Sequence, residues 1–283
     1  MPGANIRALE KARTLPADAL ILDLEDAVSP GEKDLAREQV GRALAAGGYG
    51  PRECIARVNG LGTPWGKDDV EALATAGADA FLFPKIDGPE DVHAAVEALD
   101  EAGAPPGTPI WIMAETPRGI LELAASAGAS PRVECIVAGT SDLSKDMRAA
   151  HTPDRIGFLA PLSHLVLCAR ANGLDVLDGV HLSFRDLDEL EAHCRQGRAL
   201  GFDGKTLIHP SQIETANRIF AHGPGEVANA AAVLEAWRHA ATEGRGVAVL
   251  DGRLIEHLHV AEARRTLELS AAIAARSETG PEA

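Results

Sequence analysis

Short apolar segments alternate along the chain with longer amphipathic ones, and this alternation restricts the fold more than any other sequence feature. Each apolar segment is bounded by Gly, Pro, Asp or Asn, as expected of a strand buried on both faces of a parallel sheet. Seven segments have this pattern: residues 19–28, 53–59, 79–85, 109–116, 133–143, 174–180 and 204–210. Repeated strand–helix units predict an α/β protein built on a parallel sheet.

Amphipathic helices are predicted between these strands, because apolar residues recur there at helical spacing. Examples are residues 67–76, 89–102, 119–127 and 186–200. The alternation predicts a TIM-type (β/α)8 barrel. Its first strand is expected just before Pro2 and is apparently clipped, since the chain starts at Met1.

The pattern changes after Pro210 and becomes mainly helical. Helices are predicted over residues 213–220, 226–242 and 257–275, with a short apolar run at 246–252. We therefore assign residues 1–220 to the barrel and residues 221–283 to a C-terminal helical extension.

Composition excludes several classes of protein. The formal net charge of −15 argues against a protein that binds nucleic-acid backbones, which needs a basic face. The four cysteines form no CxxC pair and are expected to be reduced core thiols, which fits the cytoplasm. No apolar run approaches the ~20 residues of a membrane span, and no signal peptide opens the chain.

Polar residues collect at the carboxyl ends of the predicted strands, where active sites of α/β barrels lie. They include Glu25, Asp26, Arg57, Lys85, Glu115, Asp142, Asp178 and His209. Several carboxylates on one rim repel each other unless a cation compensates them. The chain has no Cys and His set at zinc-site spacing, so Glu115 and Asp142 point to Mg²⁺ or Mn²⁺.

Each of these side chains could instead have a purely structural role. Asp142, and less readily Glu115, could cap the helix that follows it. Arg57 could bind a substrate carboxylate in bidentate fashion or form a plain ion pair with a rim acid. His209 fits a core position as well as a site.

Basic residues near the start of the chain form two pairs at i, i+4 spacing. Arg7 and Lys11 share one face of a predicted first helix, and Lys33 and Arg37 repeat the spacing after the next strand. Basic residues in the first turns of a helix that starts at the rim can meet a phosphate, although a solvated face explains the spacing equally well.

Eight segments, taken in order, resemble the HpcH/HpaI aldolase and citrate lyase β-subunit family. They read PGANIRALEKA, ILDLEDAVSPGEKDLAR, RVNGLGTPWGKDDV, LFPKI, AETPRGI, GTSDL, GFDGKTLIHPSQI and LDGRLIE. The resemblance covers almost the whole chain and is closest to stand-alone malyl-CoA and citramalyl-CoA lyases. It implies a TIM-type barrel, a homo-trimer or hexamer, Mg²⁺ and an acyl-CoA substrate.

The resemblance also implies roles for individual residues. Glu115 and Asp142 would be the metal ligands, Arg57 would bind the oxo-acid end of the substrate, and Glu25 and Asp26 would hold waters on the metal. The CoA phosphates would lie near four basic residues: Arg7, Lys11, Lys33 and Arg37. The C-terminal extension would cover the site of a neighbouring subunit.

Two positions depart from the family pattern. Ser141 stands where many relatives have Glu in a G-x-E-D motif, and Glu256 stands where many have Asp in M-I-D. That Asp is assigned a proton-transfer role, which Glu256 would take over on a longer side chain.

The resulting hypothesis is reversible, Mg²⁺-dependent cleavage of a 3-hydroxyacyl-CoA, such as malyl-CoA or citramalyl-CoA, into an acyl-CoA and a 2-oxo acid. Arg57 would neutralise the oxygen that becomes an alkoxide, and Glu256 would exchange the proton at the α-carbon. Two alternatives remain open: a malyl-CoA thioesterase, and a citrate-lyase-type subunit that acts on an acyl-carrier protein. Neither a membrane nor a nucleic acid is expected as a partner.

Overall fold

The computed structural model describes residues 1–278. Strands β1 to β7 form one parallel sheet, and β8 and β9 form a separate antiparallel hairpin. The strands are β1 (Ala19–Asp23), β2 (Glu53–Arg57), β3 (Ala80–Phe83), β4 (Ile110–Ala114), β5 (Val133–Ala138), β6 (Asp175–Asp178), β7 (Gly204–Lys205), β8 (Ala248–Leu250) and β9 (Arg253–Ile255). The predicted α/β fold with a parallel sheet is confirmed.

Helices connect successive strands of the sheet and then form most of the C-terminal part. They are α1 (Ile6–Ala12), α2 (Lys33–Ala46), α3 (Gly66–Leu73), α4 (Pro89–Glu101), α5 (Pro117–Leu121), α6 (Leu123–Ala127), α7 (Thr140–Met147), α8 (Leu159–Asn172), α9 (Leu187–Leu200), α10 (Ile213–Phe220), α11 (Pro224–Thr242) and α12 (His257–Glu278). No helix within residues 1–278 combines the length and apolarity needed to cross a bilayer.

The strands follow each other in the sheet in chain order, from β1 at one side to β7 at the other. Closure of the predicted eight-stranded barrel is not seen in this strand order and stays a prediction. At the place predicted for the clipped first strand, Pro2 forms an isolated parallel bridge with Asp23. Asp23 N–H donates to Met1 O at 2.9 Å, so this short segment lies alongside β1.

The strands are apolar on both faces, as their sequence predicts. Every second residue of the central strands belongs to one buried cluster: Ile55, Ala80, Leu82, Trp111, Met113, Cys135 and Val137. The alternate positions are buried as well, for example Phe81 and Ile112. All four cysteines are free and buried, as expected of core thiols.

All seven predicted segments extend beyond their strands, most of all those at 19–28, 133–143 and 204–210. The run at 133–143 leaves the sheet after Ala138, because α7 begins at Thr140. The run at 204–210 contributes only two residues to β7. The predicted helix at 119–127 is interrupted at Glu122, which separates α5 from α6.

The chain divides into two compact units, Met1–Asn217 and a second unit that begins at Arg218. The second unit contains α11 packed on α12 and the hairpin of β8 and β9. Its own core consists of Ala230, Val233, Ala240, Ala248, Ile255, Val260 and Ala263. Residues 279–283 of the predicted extension lie outside the described residues.

Candidate active site

Three charged side chains continue one buried face of the sheet beyond its apolar part. Strand side chains alternate between faces, so residues two apart share a face. Glu115 therefore follows Trp111 and Met113 of the buried cluster, and Arg57 follows Ile55. Asp23 is reached in the same way from Ile21, which packs against that cluster. The period of the strands brings an arginine and two carboxylates to the same edge.

Asp23 and Arg57 are direct neighbours across β1 and β2. Arg57 donates from Nε to Asp23 Oδ1 at 2.6 Å and from Nη2 to Asp23 Oδ2 at 2.5 Å, a bidentate pair. Burial alone would raise the pKa of Asp23, but the Arg57 guanidinium holds this pKa below its usual value. Asp23 therefore fixes the orientation of Arg57, and Nη1 is the guanidinium nitrogen not engaged by Asp23.

Glu115 and two further carboxylates form a candidate metal centre at the same edge. One carboxylate oxygen each from Asp26, Glu115 and Asp142 lies within 4.8 Å of the others. Ligands on opposite sides of Mg²⁺ are about 4.2 Å apart when each Mg–O distance is about 2.1 Å. Hard oxygen donors at this spacing fit Mg²⁺ or Mn²⁺ with small side-chain movements.

The local structure excludes helix capping as the role of Glu115 and Asp142. Thr116 caps α5, because its hydroxyl accepts from Gly119 N–H at 2.9 Å. Gly139 occupies the cap position of α7, and Asp142 lies in the first turn instead. Both carboxylates are left to face the acidic cluster.

Burial changes the protonation of two members of this cluster. Glu115 is 3% exposed, and burial raises its pKa to about 7 despite the nearby ammonium of Lys85. Asp26 is more exposed, and partial burial together with the neighbouring Glu25 raises its pKa to about 6. A cation bound beside these two groups would favour their charged, deprotonated forms.

Glu25 is held by protein groups on both of its oxygens. Its Oε1 accepts from Lys85 Nζ at 2.8 Å, and its Oε2 lies 3.1 Å from Arg57 Nη1 and accepts from Asp26 N–H at 2.9 Å. Burial would raise the pKa of Glu25, but Arg57 and Lys85 lower it overall. Glu25 thus connects the arginine to the acidic cluster.

The sequence predicted no role in the site for Lys85, although it lies at a predicted strand end, and did not single out Asp23. Lys85 Nζ lies 3.2 Å from Asp142 Oδ2 and 3.9 Å from Glu115 Oε1. Its position at the end of the LFPK segment was the sequence feature that could have indicated a role in the site. For Asp23 the signal was an acid that ends one strand beside the arginine that ends the next.

The four basic residues expected to contact the CoA phosphates differ in their exposure to solvent. Arg7 and Lys11 are exposed on α1. Lys33 is buried, and its Nζ donates all three hydrogens to Leu24 O, Glu25 O and Asn59 Oδ1, at 2.7 to 2.8 Å; its contact with a CoA phosphate stays a prediction.

Arg37 is also engaged within the first unit. Its Nε donates to the fully buried Asp69 at 2.8 Å, and its Nη1 donates to Asp34 at 3.0 Å. Only 15% of its side chain is exposed. Arg37 thus balances a buried charge, and its expected phosphate contact stays a prediction.

Two other polar strand ends take structural roles. Asp178 is fully buried and accepts from Arg155 and Lys205 at 2.8 to 2.9 Å. His209 caps the short helical turn that follows it, with its Nδ1 accepting from Ser211 N–H at 3.2 Å. Asp178 and His209, although they were predicted at the same edge, are thus not members of the acidic cluster.

Glu256 belongs to the second unit, between β9 and α12, and is exposed. Its backbone N–H donates to His259 Nδ1 at 3.0 Å. Its role in proton transfer stays a prediction.

Comparisons with known proteins agree with the motifs. A family model described as HpcH/HpaI aldolase/citrate lyase matches residues 1–210. A (3S)-malyl-CoA thioesterase of Cereibacter sphaeroides is 47% identical over 275 residues, 97% of this chain and 94% of that protein. The citrate lyase subunit beta of Escherichia coli K12 is 36% identical over 276 residues, 94% and 90% of the two chains.

A solved structure has the same fold over almost the whole chain. CitE from Mycobacterium tuberculosis, in complex with magnesium, acetoacetate and coenzyme A, superposes with a TM-score of 0.77 and 27% identity over 96% of both chains. The family model covers well over half of the chain, and the two relatives above 30% identity span nearly all of it. The chain belongs to the HpcH/HpaI aldolase/citrate lyase family.

Proposed function

We propose that the protein hydrolyses the thioester of a malyl-CoA-type substrate, whose acyl group carries a hydroxyl and a terminal carboxylate. The observation that carries this proposal is 46–47% identity, over 97% of the chain, to (3S)-malyl-CoA thioesterases. Citrate lyase β subunits are 32–36% identical. Hydrolysis is therefore the first candidate reaction and carbon–carbon cleavage the second, whereas the motifs alone favoured cleavage.

The acidic cluster supports a divalent cation in this reaction. Glu115 and Asp142 would hold Mg²⁺, or Mn²⁺, with Asp26 beside them. When bound, the ion would stabilise the negative charge that develops on the acyl oxygen.

The protein's own groups supply positioning and proton transfer. Arg57 Nη1 is not engaged by Asp23 but lies 3.1 Å from Glu25 Oε2, and it would bind the terminal carboxylate of the substrate in exchange for this contact. Asp26 is exposed, and with a pKa of about 6 it is ionised at neutral pH and basic enough to accept a proton from water. The hydroxide adds to the thioester carbon, the C–S bond breaks, and the CoA thiolate takes the proton back from Asp26 and leaves as the thiol.

Arg7 and Lys11 are the exposed candidates for the CoA phosphates. Both are exposed and one helical turn apart on α1, so a phosphate could reach them without breaking a buried ion pair. The carboxylate-rich edge would otherwise repel the anionic CoA group.

Carbon–carbon cleavage is the second candidate. It is supported by the 36% identity to a citrate lyase β subunit and by the fold shared with CitE, which was solved with acetoacetate and coenzyme A. Arg57 would stabilise the oxygen that becomes the 2-oxo group, and Glu256 would return a proton to the α-carbon of the acyl-CoA.

The proposal also includes three features of the whole protein: closure of the barrel, its location and oligomeric state, and the role of the C-terminal extension. The parallel sheet would close into a (β/α)8 barrel, as in the family that the motifs resemble. The protein would act in the cytoplasm as a homo-trimer or hexamer. Residues 221–283 would then cover the site of a neighbouring subunit and bring Glu256 to it.

The products formed from malyl-CoA decide between the two reactions. With Mg²⁺, we expect free thiol and free malate in equal amounts, without trapped glyoxylate. Glu115→Gln and Asp142→Asn should lower the rate at least about a hundredfold, a loss typical of a removed transition-state contact. Glu97→Gln, which removes an exposed carboxylate of α4, is the matched control and should leave the rate unchanged.

Glyoxylate with acetyl-CoA would establish cleavage instead of hydrolysis. No turnover of malyl-CoA or citramalyl-CoA by the isolated protein would refute both proposals. Activity on an acyl-carrier-protein ester alone would identify a citrate-lyase-type subunit.

A further inference from the structure

Lys85 places a positive charge among the carboxylates of the candidate metal centre. Its Nζ lies 2.8 Å from Glu25 Oε1, 3.2 Å from Asp142 Oδ2 and 3.9 Å from Glu115 Oε1. Two of these three carboxylates belong to the cluster that could hold a metal ion. One ammonium therefore neutralises part of the charge that would attract the ion.

The backbone at Lys85 is held in an unusual conformation that favours this placement. Lys85 has a φ of 53°, which is uncommon and costly for a residue other than Gly. Its backbone N–H donates to Glu115 Oε1 at 2.9 Å. Lys85 thus contacts Glu115 through both its main chain and its side chain, and these contacts offset the local strain.

The side chain of Lys85 can also leave the cluster. It is 47% exposed, whereas those of Glu25 and Glu115 are 10% and 4% exposed. A lysine side chain has four rotatable bonds, and its ammonium is strongly hydrated in water. The ammonium can move into solvent without leaving a buried charge of its own unpaired.

We propose that Lys85 is a tethered cation that competes with the divalent metal for Glu115 and Asp142, and that metal binding displaces its ammonium toward Glu25 and solvent. This inference rests on the proposed metal centre and goes beyond it by assigning a residue that sets its affinity. Two cations cannot occupy the same carboxylates without repulsion. Lys85 would therefore weaken metal binding while it stabilises the carboxylates without metal.

Lys85→Met removes the charge but keeps a long apolar side chain, so it separates charge from packing. We expect this variant to bind Mn²⁺ about tenfold more tightly, because a repelling charge a few ångströms away is removed and partial exposure limits the gain. Mn²⁺ binding is measured by the loss of the free-ion signal in electron paramagnetic resonance. In chelator-treated protein, the same variant should have a lower melting temperature than the parent, and Mn²⁺ should raise that temperature more.

Two further variants control the experiment. Lys85→Arg keeps the charge and should keep the parent affinity within about threefold, since only the shape of the cation changes. Lys67→Met makes the same charge change at an exposed residue of α3 and should leave both measurements unchanged.

The outcomes separate this inference from the metal centre itself. Equal or weaker Mn²⁺ binding by Lys85→Met would overturn the competition, provided that the parent binds Mn²⁺ and Asp142→Asn does not. Absence of Mn²⁺ binding in the parent and in every variant would overturn the metal centre as well.

Discussion

Glu115 is both buried and close to other charged groups, and these two properties decide how it can bind a metal ion. It is buried at the end of a sheet strand, and its oxygens face two other carboxylates and an ammonium. Burial favours the neutral form of this acid, so its pKa lies at about 7. A metal ligand must be deprotonated, and binding to Glu115 therefore releases a proton near neutral pH.

Metal affinity should consequently depend on pH. Protons compete with the ion below the pKa of Glu115, so the affinity for Mg²⁺ should rise as pH increases from 6 to 8. The dissociation constant should fall roughly tenfold per pH unit below pH 7 if one proton is released, and level off above it. Isothermal titration calorimetry in buffers of different ionisation enthalpy measures both the affinity and the released proton.

Glu115→Gln is the control for that measurement. A glutamine cannot lose a proton in this range, so the remaining weak affinity should vary little between pH 6 and pH 8. An affinity of the unmodified protein that is constant over this range would contradict the assigned role of Glu115.

The sequence predicted the acidic cluster better than the basic residues around it. Glu115 directly follows β4, whereas Asp26 and Asp142 lie in the segments that follow β1 and β5, and parallel strands bring such segments to one edge. Lys33 and Arg37 were selected by i, i+4 spacing, which cannot distinguish an exposed cation from one that balances a buried group. The side chains that they contact, Asn59 for Lys33 and Asp69 for Arg37, come from distant parts of the chain.

At the scale of elements, the site depends on how β4 and β5 end side by side. Glu115 continues the face of Met113, and Gly139 continues the neighbouring face of Cys135 and Val137. A β-carbon on Gly139 would lie 2.3 Å from Glu115 Cβ and 2.9 Å from its Oε2. The absence of a side chain on Gly139 is what lets Glu115 reach across the end of β5.

Gly139→Ala should therefore disturb the site through its geometry alone. The residue has a φ of −93°, which alanine adopts freely, so the added methyl group acts by contact and not by backbone strain. We expect Mn²⁺ affinity to fall at least about tenfold, and the free energy of unfolding to fall by about 1–3 kcal/mol through overpacking. Calorimetry and urea unfolding measure the two effects.

Gly225→Ala is the matched control, since no atom within 4 Å would meet its β-carbon and Gly225 lies in α11 of the second unit. It should change neither quantity by a comparable amount. Unaltered metal affinity in Gly139→Ala would show that Glu115 does not depend on this space.

The order and type of most elements could be predicted, while several boundaries could not. Hydrophobic period and Gly or Pro positions predict the strands of the sheet. The apolar run at 133–143 continues into α7, so only the backbone turn at Gly139 separates strand from helix. Pairing at β7 is limited to two residues, which hydrophobic pattern cannot reveal.

In the whole molecule, the residues assigned to the site are divided between the two compact units. The unit up to Asn217 contains the acidic cluster, Arg57 and Lys85, whereas Glu256 belongs to the unit that follows. The motifs predicted the family, which the comparisons show. They could not rank hydrolysis against carbon–carbon cleavage, because both reactions use the same carboxylates and arginine.

Glu115 and Asp142, with Asp26 beside them, are proposed to form the metal centre of a CoA-ester enzyme. Anomalous diffraction from crystals of the intact protein grown with Mn²⁺ tests this proposal most directly. We predict a single strong peak about 2 Å from carboxylate oxygens of Glu115 and Asp142, with the Lys85 ammonium moved away from Asp142. A peak at other residues, or no peak at this cluster in Mn²⁺-saturated crystals, would contradict the account.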